Sequence, residues 1–531
     1  MLALGWFCST APALADVKLP SVLSDNMVLQ RDRVLYFWGL SDPEEIVTVL
    51  IGDKRYACTA DDKGAWWVKI PPQNQTTPFS ITVRGKNVIN IRNVITGDVW
   101  LCAGQSNMYA PLHEVDHTPD DIDKADFPNI RFFKEEPNAA GEPEFDGGGK
   151  WVVCTPETVK DFSAIGYFFG REINEKTKGV LGLIQATRAG SAMHTWVSKE
   201  ALEKTPYKGT LGENEENFQQ YEKLLQQIKE ARETGPEKEL ARLLKQEKTF
   251  KKKVNTPTCA YNALIAPLAP YQLKGVLWYQ GENDIGEPLK FRKLFTAMIQ
   301  DWRDQFRLST LPFYYVQLPP IGIKKDEPED SYYAELREAQ SQVLKTPYVY
   351  MALTSDTGKG NDIPMHPREK KIVAHRLANL VLATLYKEPI KFFAPSYDSI
   401  DIEDNAIRVH LRRAEPQLLA RGGTPQGFEI AGEDKIFHWA DARIDGDSVV
   451  VFNKKVKKPV AVSYAWADNP KGNLFNSEDV PLIPFRSDEW SHRKPEEGAD
   501  KKNTTSTTST TSTTSANSSS GRKGTNSSAV K

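Results

Sequence analysis

No segment of the 531-residue chain approaches the roughly 20 consecutive apolar residues that a helix needs to cross a bilayer. A helical membrane span is therefore excluded. Charge of one sign is lacking too, since 68 Lys and Arg stand against 70 Asp and Glu, for a formal net charge of −2. That balance gives no electrostatic footing for nucleic acid or for an anionic membrane surface. Cysteine is scarce, at five residues. Cys8 lies in the apolar start, and Cys58, Cys102, Cys154 and Cys259 have no short spacing, so the sequence pairs none of them. Cys102 sits inside an apolar run and reads as a small core residue. The Gly-x-Ser-x-Gly pattern does not surround the serine singled out below, which sets aside an α/β-hydrolase nucleophile elbow.

What is present is ample core material, with 40% hydrophobic and 10% aromatic residues. The length suits a catalytic domain and one or two smaller ones. Residues 1–15 read as a signal peptide: Met1–Cys8 is apolar and Ala13-Leu14-Ala15 is a small-x-small cleavage pattern, though no positive residues precede it. A short N-terminal strand is the competing reading. The expected location is secreted or periplasmic. Residues 16–97 carry strand-like runs (Val47–Ile51, Ala65–Ile70, Phe79–Val83, Val88–Ile91) separated by turns such as Asp61-Asp62-Lys63-Gly64, as in a small β-sandwich.

Residues 98–387 alternate strands and helices. Val180–Ile184 and Gly275–Tyr279 are continuous apolar runs, as strands buried on both faces are. Phe291–Phe306 and Glu369–Tyr386 have helical spacing, and in the second Ile372, Val373, Leu377, Leu380, Val381 and Thr384 share a stripe. This predicts an α/β core with a parallel sheet. A charged stretch, 205–253, interrupts it as one or two solvated helices. Residues 388–488 return to β character, with Ala406–Leu411 and Ser448–Phe452 strand-like. Residues 489–531 are dominated by Ser and Thr, lack core formers and read as a disordered tail.

The apolar run Val99-Trp100-Leu101-Cys102-Ala103 leads directly into Gly104-Gln105-Ser106-Asn107-Met108. That order presents a hydroxyl at the end of a buried strand, beside a helix start. Serine is a poor nucleophile unless a base, itself oriented by a third group, activates it. His366, followed by Pro367 and an amphipathic helix, fits the N-cap region with Pro367 at the first helical position. A helix N-terminus disfavours a cationic ring and keeps imidazole basic. Simple helix capping is an equal reading of His366. Asp362 is the nearest orienting carboxylate and Asp356 the second. Two more loops follow buried-type strands. In Trp278–Asp284 the Gln280 amide is placed to donate to an oxyanion, an ordinary polar loop being the alternative. In Thr187–Ser191, Gly190 allows close approach of a backbone N–H to a reacting carbonyl. His113 and His117 have an i, i+4 spacing, but no third ligand is evident and prolines flank them, so a cleft-rim loop is preferred to a metal site.

Together these segments resemble the signature blocks of sialate O-acetylesterases, members of the SGNH hydrolase superfamily related to bacterial acetylxylan esterases. The likeness is carried by Gly97–Met108, Trp278-Tyr279-Gln280-Gly281-Glu282 and His366-Pro367. Further matches are Val17–Arg31, Leu336–Gln340, Gly427–Gly432 and Tyr464–Pro470, so it spans about residues 16–488. The resemblance implies a flavodoxin-like SGNH core with N- and C-terminal β-rich accessory regions, and hydrolysis of a sugar acetyl ester through an acetyl-enzyme. It implies Ser106 as nucleophile, His366 as base, an aspartate as orienter (Asp362, with Asp356 the alternative), and Ser106 N–H, Gly190 and Gln280 as the oxyanion hole. Gln105, Asn107, Arg188 and Glu282 become the expected substrate contacts. No metal or organic cofactor is implied, and the partner is an acetylated sugar or glycan. The chain departs from the family at three places, one of them Asn283-Asp284 where many relatives have Ser-Asn. Asp362 precedes His366 by four residues, a longer step than usual, and Arg188-Ala189-Gly190 replaces Trp-Gly-Gly. Acetylxylan or another acetylated polysaccharide is the alternative substrate. A non-catalytic carbohydrate-binding protein on the same core is the alternative class.

Overall fold

The computed structural model describes residues 16–490 apart from 76, 137, 209–214, 235, 254, 359, 415 and 416. The expected signal peptide, and the Ser/Thr-rich tail from residue 491, lie outside the described residues. The chain opens with short strands β1 (Val28–Gln30), β2 (Leu35–Leu40), β3 (Ile46–Ile51), β4 (Lys54–Thr59), β5 (Ala65–Ile70) and β6 (Phe79–Arg84). Burial alternates residue by residue along β2 and β5, the period-two pattern of strands with one face on a core. The Asp61 carboxylate closes the turn before β5 by accepting from Lys63 N and Ala65 N at 2.9 and 2.8 Å.

The next strand, β7 (Val88–Gly104), is 17 residues long and belongs to two layers. Its first half pairs antiparallel with β6, while its second half runs parallel between β10 (Leu181–Thr187) and β11 (Gly275–Tyr279). Asn93, at φ 54°, and a register slip opposite Phe79–Ile81 mark the bend between the halves. The strand-like runs Val88–Ile91 and Val99–Ala103 are thus one strand, because Arg92-Asn93 makes a bulge and not a turn.

The remaining core strands are β8 (Phe127–Lys134), β9 (Trp151–Cys154), β12 (Phe313–Val316), β13 (Gly322–Ile323), β14 (Val349–Ala352) and β15 (Asp362–Ile363). The main sheet runs β14-β12-β11-β7-β10-β8-β9, all parallel except β9 at the edge. The helices are α1 (Ser106–Tyr109), α2 (Pro119–Asp123), α3 (Ala164–Thr177), α4 (Lys199–Glu203), α5 (Glu215–Thr234), α6 (Glu237–Lys253), α7 (Pro288–Gln305), α8 (Tyr332–Val343) and α9 (Lys370–Thr384). Side chains alternate across a strand, so Tyr314 and Tyr315 face opposite sides of the sheet. Tyr314 meets Thr384 of α9, and Trp100 meets Phe169 of α3. Tyr315 meets Phe295 of α7 and the Gln340 carbonyl of α8. The sheet is therefore covered on both faces, which is why Val99–Ala103 and all of β10 are buried and apolar-rich.

The charged stretch forms α5 and α6, which share a small cluster of Leu224, Ile228 and Leu243. Tyr221 anchors them beside Ala139 and Cys259. Beyond α9 the chain is β-rich and has its own core, including Ile407, Val409, Phe428, Ile430, Val449, Val451 and Tyr464. Buried Arg337 ties this region to the sheet by donating to Leu318 O, Pro319 O, Ala467 O and Asp468 O. The four described cysteines are unpaired, and Cys102 is fully buried in the core. Among the described residues no helix is long and apolar enough to cross a membrane.

Candidate active site

The carboxyl ends of three adjacent strands are stitched together by backbone bonds. Gln105 N donates to Tyr279 O at 3.0 Å, and Arg188 N donates to Gly104 O at 2.9 Å. Gly104 makes the approach feasible. It sits at φ 135°, and a Cβ there would collide with the Tyr279 carbonyl. Ser106 follows, half-buried, at the start of the single turn α1.

His366 arrives from 260 residues away, on the loop before α9. The Ser106 hydroxyl lies 2.8 Å from His366 Nε2, the distance of an O–H donating to an unprotonated ring nitrogen. Partial burial and then the nearby Lys370 charge hold the imidazole below its usual range, which favours the neutral, proton-accepting ring. The helix-capping expectation is corrected. Helix α9 starts at Lys370 with Glu369 as N-cap, so His366 and Pro367 lie in the preceding loop. Two contacts hold that loop out of helix. The Glu369 carboxylate accepts from Gly358 N, and Arg368 Nε donates to Asp116 Oδ1 at 3.0 Å.

Neither aspartate forms a hydrogen bond or an ion pair with His366 among the described residues. Asp362 is exposed and lies in β15, where its backbone pairs with Ile323 in β13. Asp356 is gripped on both oxygens by Arg376, at 2.6 and 2.7 Å. Gln280 also sits differently from expectation. It is fully buried, and its Nε2 donates to Ser191 O at 2.9 Å and Asp284 Oδ2 at 2.6 Å. Both amide hydrogens are spent on holding the 188–193 loop. Asp284 reinforces that loop by accepting from Met193 N, and burial pushes its carboxyl up to about 7.

Gly190 is at φ 71° with open space where a Cβ would go, so its backbone faces a cavity or solvent. The side chain beside it is Asn283, which is exposed and donates from Nδ2 to Gly190 O at 2.6 Å. The sequence marks Asn283 only as a departure from the family pattern and assigns it no role at the site. The signal for it is its place in the short turn Glu282–Asp284, where the two flanking carboxylates point inward and the middle residue points out.

The four expected substrate contacts, Gln105, Asn107, Arg188 and Glu282, are all buried. The Asn107 Nδ2 donates to Glu282 Oε1 and to Met365 O, and its Oδ1 accepts from Lys370 Nζ at 2.5 Å. These groups support the Ser106 turn from beneath. Among the described residues Gln105 Oε1 and Glu282 Oε2 have no hydrogen-bond partner. His113 and His117 turn their Nδ1 atoms to Lys160 O and Val115 O. Among the described residues no group of three His, Cys, Asp or Glu is placed to hold a metal ion.

The arrangement suits acyl transfer: an exposed-side hydroxyl on a neutral base, beside a glycine loop and a free-facing amide. The family described as carbohydrate esterase, sialic acid-specific acetylesterase, matches residues 96–383. Sialate O-acetylesterase of Homo sapiens is 26% identical over 519 residues, which cover 88% of this chain and 92% of that protein. Its Mus musculus counterpart is 25% identical over 541 residues, covering 90% and 95%. Among solved structures, a carbohydrate acetylesterase from Xanthomonas citri is 34% identical with a TM-score of 0.76, covering 90% of this chain and 100% of that one.

Proposed function

Because the chain belongs to the sialic acid-specific acetylesterase family of carbohydrate esterases, and is thereby a carboxylic ester hydrolase acting on carbohydrate, we propose that it removes O-acetyl groups from sialic acid through an acetyl-enzyme. The observation that carries the reading is the 2.8 Å contact between Ser106 Oγ and His366 Nε2 at the end of the sheet's central strand. Ser106 Oγ attacks the acetyl carbonyl carbon while its proton passes to His366 Nε2. The tetrahedral oxyanion is met by Ser106 N–H, Gly190 N–H and the Asn283 amide, donors that act most strongly on charge present only at that stage. Collapse expels the sugar oxygen, which takes the proton from His366 and leaves as a hydroxyl. Water, deprotonated by the same ring, then attacks the acetyl-enzyme, and collapse of the second tetrahedral state releases acetate as the proton passes from His366 back to Ser106 Oγ. The roles assigned are a Ser–His dyad and this oxyanion hole on an SGNH-type, flavodoxin-like core. The apolar start Met1–Cys8 with Ala13-Leu14-Ala15 supports action outside the cytoplasm.

Ser106→Ala tests the assignment on a small aryl acetate. Turnover is expected to disappear with the fold intact, and retention of more than a few per cent of the wild-type rate would refute it. The Xanthomonas citri relative, 34% identical, is named a carbohydrate acetylesterase with no sugar specified, so acetylated xylan is the second substrate to test. Acetate release from 9-O-acetylated sialic acid and from acetylated xylan, measured side by side, separates the two. Labelling of Ser106 by a fluorophosphonate separates both from a non-catalytic binding protein.

A further inference from the structure

Beneath the reacting pair lies a buried polar cluster that the ester-cleaving steps do not use. Asn107 follows Ser106 directly, and Met365 directly precedes His366. The Asn107 carboxamide joins those two neighbours, since its Nδ2 reaches the Met365 carbonyl at 3.2 Å. The same Nδ2 donates to Glu282, and Oδ1 accepts from Lys370 Nζ at 2.5 Å. Asn107 is 0% exposed, Lys370 2% and Glu282 7%, so none of these bonds is exchanged with water. We propose that Lys370 is a positioning residue for the ester hydrolysis, which locks the Asn107 carboxamide in the one orientation that ties the Ser106 turn to the His366 loop. The inference rests on the Ser106–His366 reading.

The orientation argument follows from donor and acceptor inventory. A carboxamide flipped by half a turn would point its NH₂ at the Lys370 ammonium and its oxygen at the Glu282 carboxylate and the Met365 carbonyl. An ammonium only donates, and both oxygens on the other side only accept. Lys370 and Glu282 therefore permit a single rotamer. Burying the ammonium is costly, and two features offset it: the opposite charge on Glu282, and the Tyr279 ring, whose centroid is 5.6 Å from Nζ. Burial draws the ammonium down to about 8, so it remains mainly charged at neutral pH. That charge also faces His366 and opposes its protonation.

Other charged groups on the elements around His366 include Glu282 in the β11–α7 turn, Asp362 on β15, Arg368 paired with Asp116, Glu369 bonded to Gly358 N, Lys371 paired with Asp121, Asp356 paired with Arg376, and buried Arg188. Removing the Lys370 charge shifts the balance toward anions, so His366 protonates more readily. The acid limb of kcat/KM, where the base must be neutral, then moves to higher pH. Burial holds the Glu282 carboxyl above its usual range, so its replacement reports on the hold on Asn107 and not on the acid limb.

The test is the pH profile of kcat/KM for a small aryl acetate with wild type, Lys370→Met and Glu282→Gln, each checked for a cooperative thermal transition. Lys370→Met is expected to lose at least tenfold at the optimum and to move the acid limb upward by about half a pH unit or more. Glu282→Gln, whose amide can also donate to a flipped Asn107 carboxamide, is expected to lose about threefold or more in kcat with KM kept. A folded Lys370→Met that keeps its rate within twofold and its limb in place overturns the proposal. If Lys370→Met does not fold, Glu282→Gln decides, and a kcat within twofold of wild type overturns it. Loss of the underlying Ser–His reading would show separately, as turnover surviving in Ser106→Ala.

Discussion

Gly104→Ala isolates how far catalysis depends on the close approach of two strand ends. The glycine stands at φ 135°, and a Cβ built on it lies 2.8 Å from the Tyr279 carbonyl carbon, with the carbonyl oxygen nearer still. Carbon–carbon contacts rest at about 3.5–4.0 Å, so the β7 and β11 ends must part by about 1 Å. The Gln105 N to Tyr279 O bond, 3.0 Å long, lies in the path of that movement, and Ser106 is the next residue. A displacement of about 1 Å at a reacting centre costs about 100-fold, or roughly 2.7 kcal/mol of transition-state stabilisation. Backbone strain adds about 1–3 kcal/mol to the folding cost. Gly446→Ala is the control. It has φ 66° and nothing within 4 Å of its Cβ, so it carries the conformational cost without the collision. The assay is kcat/KM for an aryl acetate beside the melting temperature. Gly104→Ala should lose about 100-fold in rate, and Gly446→Ala should lose stability alone. A Gly104→Ala enzyme within threefold of wild type would refute the geometric argument.

Two further outcomes follow from side-chain placement. Asp362→Asn should keep kcat/KM within about threefold of wild type, because no Asp362–His366 bond exists to lose; the loss of about 10⁴ that removal of a true triad aspartate brings would show that the loop closes during turnover. Burial pushes the Glu429 carboxyl up to about 8, against the bond it accepts from the Ser463 hydroxyl at 3.0 Å. The folded chain thus holds this proton more tightly than the unfolded chain, and the resulting stability, full below about pH 4.5, drains away as pH rises toward 8. Melting temperatures measured from pH 5 to pH 8 should fall less steeply in Glu429→Gln than in wild type, and parallel slopes would contradict the assignment.

The parts of the fold legible in the sequence are those whose burial is uniform. Strands β10 and β11 and the second half of β7 lie between two helical layers, so every position is driven apolar and the run itself marks the strand. The continuity of β7 was not legible, because the polar pair Arg92-Asn93 at its bulge has the composition of a turn. Pro367 misled for a related reason. Proline marks the first turn of a helix only when the chain continues into helix, and here Arg368 and Glu369 are held by Asp116 and Gly358 before α9 begins. At the site, residue type singled out Ser106 and His366 as candidates, yet no local spacing brings together residues 260 apart; the family resemblance supplied that pairing. Gln280 and Asn283 show the limit in the other direction. Both are carboxamides in one loop, and only the packing of Asp284 and Ser191 around Gln280 decides which of them faces outward.

The distant Tyr464–Pro470 segment has a physical link to the site through the loop that carries His366. Arg337, fully buried on α8, donates to carbonyls on both sides of the junction: Leu318 and Pro319 in the core, Ala467 and Asp468 in the β-rich region. Asp468 O then receives Ile321 N at 3.1 Å, and Asn469 Nδ2 donates to Gly322 O at 2.7 Å and reaches Asn361 O at 3.4 Å. Gly322-Ile323 pairs with Asp362-Ile363, three residues before His366. The base loop is thus pinned at its start by the C-terminal region and at its end by the Lys370–Asn107 contact. Between these anchors it has no long helix or wide sheet of its own. A guanidinium satisfying four buried carbonyls does what apolar packing alone cannot, because each orphaned carbonyl would cost about 1–3 kcal/mol. The β-rich region is consequently part of the scaffold that sets the Ser106–His366 distance.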